Sequence, residues 1–206
     1  MQNISQVLNK SIHYLNESNT SSAVLDSELL LCSVINKPRE YLLLNSYKKI
    51  DEISINFFFN LVERRRNKEP IAYILNKKDF WKSTFYVDQG VLIPRPDTEI
   101  LIEEALSCMS KKKNLSILDI GTGSGCIILS ILQEVQKASG IGIDISKNAV
   151  KVANFNAKMH QLENRVKFIK SSVDNFFKGK YDLIISNPPY INKFKLKCLD
   201  KDIFSY

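Results

Sequence analysis

Through the first 70 residues apolar positions recur at three- and four-residue spacing; beyond them they gather into short continuous runs between polar breaks. Ile4, Val7, Leu8, Ile12 and Leu15 form one stripe, which predicts an amphipathic helix. The polar stretch Glu17 to Ser22 offers N-cap candidates for a second helix through Val24, Leu25, Leu29, Leu30 and Ile35. Pro38 interrupts the chain, a short third helix fits Glu40 to Ser46, and Asp51 can cap a fourth. That helix carries Ile55, Phe58, Phe59 and Val62 and ends in Arg64-Arg65-Arg66. Residues 1–70 therefore read as a small helical bundle. Between residues 71 and 91, "IAYIL" and "FWKSTFYV" flank the polar Asn76-Lys77-Lys78-Asp79, which predicts two strand-like pieces in a β-hairpin linker.

From residue 92 onward the period changes again. An amphipathic helix runs through Ile100, Leu101, Ala105 and Leu106. Four strands are predicted at Ser116–Ile120, Gly140–Ile143, Val166–Ile169 and Tyr181–Ser186, with helices at Cys126–Val135 and Asn148–Met159. Such alternation implies an α/β domain, residues 92–206, built on a parallel sheet with right-handed crossovers.

Composition narrows the setting. At 206 residues and 44% apolar, the chain can bury a core in each of two modest domains. It holds no run approaching eighteen apolar residues, so no membrane partner is expected. Met1-Gln2-Asn3-Ile4 has neither the basic nor the apolar region of a secretory signal, and the four cysteines are scattered, with no CxxC pair. A reducing, cytoplasmic location and no metal site are the expectation. The net charge of +7 raises contact with RNA or the ribosome. Against that, lysine outnumbers arginine 23 to 6 and is spread along most of the chain, as on a solvated surface.

"LDIGTGSGC" adds chemistry. Gly121, Thr122, Gly123, Ser124 and Gly125 stand between the first strand of the sheet and a helix, where glycines allow a tight turn and bring a ligand close to exposed N–H groups. Nineteen residues beyond Gly125, Asp144 ends the second strand, placed to accept both hydroxyls of a ribose. Together they point to an adenosine-containing cofactor. The glycines are spaced GxGxG, not the GxGxxG of a dinucleotide fingerprint. That spacing is similar to S-adenosylmethionine-dependent methyltransferases, with Asp119 then placed near the sulfonium and amino-acid end. A purely structural turn and a nicotinamide enzyme are the competing readings.

Asn187-Pro188-Pro189-Tyr190 follows the fourth strand, which sheet order places beside the first and so next to the glycine turn. An amide or aminopurine nitrogen is a poor nucleophile because its lone pair is delocalised. It must be held in line while acceptors engage its hydrogens. Asn187 offers a side-chain carbonyl and Pro188 a backbone carbonyl, neither proline has a competing N–H, and Tyr190 can stack on the planar group. The bland alternative is a motif that simply ends a buried strand.

Taken together, "RRRNKEPIAYIL", "DFW", "VLIPRPDTE", "LDIGTGSG", "GIDIS" and "NPPY" resemble, in order and spacing over almost the whole chain, the HemK/PrmC methyltransferases that modify a glutamine of peptide chain release factors. "PRPDTE" is the most specific of these motifs. The resemblance implies a helical release-factor-binding domain and a Rossmann-like class I S-adenosylmethionine-dependent methyltransferase domain. The reaction would be N-methylation of the glutamine side-chain amide in a Gly-Gly-Gln loop. Gly121 to Gly125, Asp144 and Asn187 would hold the cofactor. Asn187, Pro188, Pro189 and Tyr190 would hold the glutamine, with Asn187, Pro188 and Tyr190 catalytic. Arg95 to Glu99 would shape the active-site entrance, chiefly as structure. The alternatives are an amino-methyltransferase acting on adenine or guanine in RNA or DNA, and a non-catalytic remnant that binds release factor.

Three departures accompany the resemblance. The acidic residue usual after the third strand is replaced by Ser172 or displaced to Asp174. Glycines usual near Lys68 and Asn76 are absent, leaving Asn67 and Asn76 for left-handed turns. The family's sheet has seven strands and the chain ends after the fourth, so a C-terminally truncated methyltransferase is expected, with its fourth strand a bare edge.

Overall fold

A computed structural model describes residues 2–109, 114–176 and 179–188. The chain divides into two compact units, one built on Met1–Leu75 and the other beginning at Asn76.

The first unit is helical. Helix α1 (Ile4–Glu17) starts in a reciprocal capping box: Gln6 N donates to Asn3 Oδ1 at 2.9 Å and Asn3 N to Gln6 Oε1 at 3.0 Å. Helix α2 (Ala23–Ile35) ends at Asn36 in the left-handed region, and α3 (Arg39–Leu44) follows Pro38. Helix α4 (Glu52–Arg66) is capped by Asp51, whose carboxylate accepts from Ser54 N at 2.8 Å. Ile4, Val7, Leu15, Leu30, Leu31, Phe58 and Val62 meet in its core.

"IAYIL" is a helix, α5 (Ile71–Leu75), and not the strand its apolar run suggests. Pro70 supplies a preset φ at the helix start, and Tyr73 N and Ile74 N both bond its carbonyl oxygen. Ala72, Tyr73 and Ile74 are all buried, a pattern that a strand with only one covered face cannot produce. The hairpin itself is shifted from the predicted one: β1 (Lys78–Phe80) runs through the expected turn, the chain reverses at Trp81-Lys82, and β2 (Ser83–Phe85) is antiparallel to it, both in the second unit. Of the two anticipated left-handed turns, Asn76 adopts one (φ 53°), while the other falls on Lys68 (φ 70°) and not on Asn67.

In the second unit a 3-10 turn at Pro96–Thr98 leads into α6 (Glu99–Met109). Then come β3 (Ser116–Ile120), α7 (Cys126–Glu134), β4 (Ser139–Asp144), α8 (Lys147–Met159), β5 (Val166–Lys170) and β6 (Leu183–Ser186). All neighbours in the sheet are parallel, in the order β5-β4-β3-β6. The chain reverses direction across the sheet between β3 and β6, and that switch opens a crevice at their carboxyl ends. Ile117, Ile128, Leu129, Ile131, Ala153 and Phe168 fill the core beneath it. No described helix is long and apolar enough to cross a membrane.

Candidate active site

The turn after β3 is fixed from below by β4. Gly121 N and Thr122 N both donate to Ile143 O, at 2.9 and 3.0 Å. Gly123 N donates to Asp144 Oδ2 at 3.0 Å, and Gly125 N to Thr122 O at 2.8 Å. Two glycines here answer different demands. Gly125, at φ 80°, has Phe168, Leu129 and Ala153 within 3.3 Å of where a Cβ would stand, so it is fixed by packing as well as by dihedral. Gly121, at φ 72°, has nothing within 4 Å of that position; its open side is where the cradle faces outward.

Asp144 ends β4 half-buried. Its Oδ1 accepts from Ser146 N at 2.8 Å, the other oxygen holding Gly123. Each oxygen therefore keeps acceptor capacity for a further hydroxyl. Ser171 N donates to Asp144 O at 2.9 Å, which sets the Ser171-Ser172 pair beside the same strand end, whereas Asp174 is exposed.

Asp119 lies fully buried beside the turn, accepting from Thr122 Oγ1 at 2.7 Å. Loss of solvent pushes its carboxyl up to about 6, only partly offset by the Thr122 hydroxyl. Cys126, at the first position of α7, is likewise desolvated, and its thiol is pushed up to about 12.

On the other wall, β6 pairs with β3 so that Ser186 stands opposite Ile120. Asn187 is thereby carried level with Gly121. Its Nδ2 donates to the hydroxyl of Thr98 at 3.0 Å. Gly121, Thr122, Gly123 and Ser124 line one pocket with Asn187, and the segment Leu92 to Arg95 with Thr98 closes its side. The structure thus brings the glycine turn and Asn187 together, with Asp144 behind Gly123. Pro188 is exposed next to Asn187; Pro189 and Tyr190 lie outside the described residues.

Thr98 and Glu99 do more than the sequence reading gave them. Thr98, buried in its 3-10 turn, contacts Asn187 directly. Glu99 Oε1 accepts from the backbone N of Trp81, the left-handed residue at the hairpin tip (φ 54°). The tip is tied down further by Trp81 Nε1 to Glu134 at 2.9 Å and by Ser83 Oγ to Gln133 at 3.0 Å. The signal was present in "PRPDTE": a threonine and a glutamate at a helix start can reach out in two directions from one short turn.

The basic run Arg64-Arg65-Arg66 is consumed within its own unit. Arg64 pairs with Glu69, Arg65 with buried Asp26 at 2.7 Å, and Arg66 lies over the Tyr14 ring, 3.5 Å from Glu63.

Comparison with known proteins gives two family models. Residues 97–202 match the Methyltransferase small domain and residues 6–75 the PrmC N-terminal domain. The release factor glutamine methyltransferase of Buchnera aphidicola subsp. Acyrthosiphon pisum is 39% identical, covering 98% of this chain and 72% of that one. The protein of the same name from Buchnera aphidicola subsp. Baizongia pistaciae is 40% identical, covering 89% of this chain and 66% of that one. A bifunctional methyltransferase of Rickettsia felis is 39% identical over 92% of this chain, which spans only 41% of its length.

Proposed function

Because the chain belongs to the release factor glutamine methyltransferase family, we propose that it methylates the side-chain amide nitrogen of the glutamine in the Gly-Gly-Gln motif of a peptide chain release factor, using S-adenosylmethionine. The observation that carries this reading is the shared pocket of the glycine turn and Asn187, with the Asn187 amide held by Thr98. The residues present fit the cofactor. Gly121 leaves an open cradle, and the Asp144 carboxylate has acceptor capacity for ribose hydroxyls.

When bound, S-adenosylmethionine supplies an electrophilic methyl on a sulfonium that leaves as a neutral thioether. The chain's own residues orient the acceptor. Asn187, whose Nδ2 donates to Thr98, is assigned to accept from the glutamine amide through its side-chain oxygen. The Pro188 carbonyl takes the second hydrogen, and its ring nitrogen carries no competing donor. The motif gives Tyr190, which lies outside the described residues, the role of stacking on the carboxamide plane. Two acceptors draw electron density toward the nitrogen and fix its direction, so the barrier is lowered by placement and electrostatics. The proton departs after the nitrogen has become cationic, so the transfer step itself needs no base.

The helical unit, which matches the PrmC N-terminal domain model, is assigned to release-factor binding. The setting is the cytoplasm. Proximity to ribosomal RNA would fall to the lysines together with Arg64 and Arg66, which stay exposed although each is paired within the unit; Arg65 is largely buried against Asp26. The test is transfer of a labelled methyl to purified release factor, with peptide mapping. Label on the Gly-Gly-Gln glutamine supports the reading; label on RNA or DNA, or none on the glutamine, contradicts it.

A further inference from the structure

Asn156 lies on α8, fully buried, in a stripe otherwise made of Ala149, Val152, Ala153 and Ala157. A polar amide in an apolar stripe is costly unless each of its groups is satisfied. Here each is. The backbone N–H of Tyr86 donates to Asn156 Oδ1 at 2.8 Å, and Asn156 Nδ2 donates to Tyr86 O at 3.0 Å and to Ser124 O at 2.8 Å. The Tyr86 N–H fixes which way the amide faces, because a flipped amide would set donor against donor.

The partners are far apart in sequence: Ser124 belongs to one wall of the site, and Tyr86 lies upstream of the segment that forms the other. Ser124 sits inside the glycine turn. Its carbonyl is held by Asn156, while the N–H on the other side of the same peptide, that of Gly125, bonds Thr122 O at 2.8 Å. That peptide plane is therefore pinned at both ends. Tyr86 follows β2, and the chain runs from it into the Leu92–Thr98 wall that reaches Asn187 through Thr98. Tyr86 also packs its ring on Phe155, 4.8 Å between centroids, beside Asn156 on the same helix.

We propose that Asn156 is a positioning residue: one buried amide that sets the shape of the 121–125 turn and locks it in register with the segment leading to Thr98 and Asn187. It contacts neither substrate nor reacting atoms. Its effect passes through Ser124 on the cofactor side and Tyr86 on the acceptor side. The ligand in this inference rests on the methyltransferase reading; the geometry does not.

Hydrogen exchange of backbone amides and calorimetry with S-adenosylhomocysteine test it on the full chain. Asn156→Ala removes all three bonds, and Asn156→Leu restores buried volume without them. Both are expected to raise exchange at Gly121, Thr122, Gly123 and Gly125 about tenfold or more, and to weaken S-adenosylhomocysteine by a similar factor, while unfolding stays cooperative. A residue that merely fills space would be rescued by leucine. In the unsubstituted chain, adding S-adenosylhomocysteine should slow exchange of the Tyr86 N–H, whose acceptor is Asn156, along with the turn. That measurement needs no variant and decides the matter should the variants not fold. Turn exchange unchanged in both variants, affinity within about twofold of the parent, or a Tyr86 amide indifferent to the ligand would each overturn the proposal. If the unsubstituted chain binds no S-adenosylhomocysteine, the cofactor reading fails instead, and exchange at the turn still decides the role of Asn156.

Discussion

The side-chain nitrogen of Asn187 lies 3.0 Å from the hydroxyl oxygen of Thr98, 89 residues earlier in the chain. The bond anchors the Asn187 amide against the wall of the pocket. Thr98→Val keeps the shape of the residue and removes the acceptor, so the amide can rotate. Turnover should fall by about ten- to a hundredfold with the cofactor KM little changed, since small misplacement of a positioning group costs rate of that order. Thr98→Ser should retain most activity. Steady-state kinetics on the pair check this; equal loss in both would mean that the methyl packing, not the hydroxyl, matters.

Asp119 titrates at about 6 in the folded protein, above the ordinary carboxylate value of 3.8. The folded state thus holds its proton more tightly than the unfolded chain. Its stabilising contribution is complete below the unfolded value and is lost as pH rises through about 6. Asp119→Asn cannot ionise and still accepts from Thr122. Relative to the parent, its stability should rise between pH 4 and pH 7 by on the order of 1–3 kcal/mol, then level off. Urea denaturation at several pH values measures the difference; a gap that shrinks with rising pH contradicts the assignment.

In the helical unit Asp26 is 3% exposed and accepts from both Arg65 Nε and Ser22 Oγ at 2.7 Å. Removing the carboxylate strands a largely buried guanidinium. Asp26→Ala should cost about 3–5 kcal/mol, while the double replacement Asp26→Leu with Arg65→Met should recover much of it. Chemical denaturation of the three variants separates the two effects.

Cys126 stands at a helix start, where a thiol is ordinarily activated, yet burial dominates and pushes it up to about 12. Cys108 is exposed. Iodoacetamide at pH 8 should therefore alkylate Cys108 quickly and leave Cys126 unmodified until the chain unfolds, as read by peptide mass spectrometry. Rapid labelling of Cys126 in the native protein would contradict its burial.

The sheet was legible because its strands are short apolar runs separated by helices of clear period. Pairing of β6 with β3 then followed from the strand order of a doubly wound sheet, which reverses beside its first strand. The glycine turn and Asp144 were legible because both chemistry and spacing are local. Ile71–Leu75 was misread because five apolar residues carry no period, and only the preceding proline favours the helix. Lys68, not Asn67, took the left-handed position at the end of α4, a choice between adjacent residues that dihedral preference alone cannot make. Thr98 and Asn156 went unassigned as hydrogen-bonding groups because their partners are distant in sequence. For Asn156 one local signal existed: an amide in the middle of an alanine and valine stripe.

The most direct test of the account is a crystal structure of the chain with S-adenosylhomocysteine and a Gly-Gly-Gln peptide. The account predicts the ribose on Asp144, the thioether sulfur over the 121–125 turn, and the glutamine amide hydrogen-bonded to Asn187 with its nitrogen toward the sulfur. A ligand seated elsewhere, or a glutamine that leaves Asn187 untouched, would contradict it.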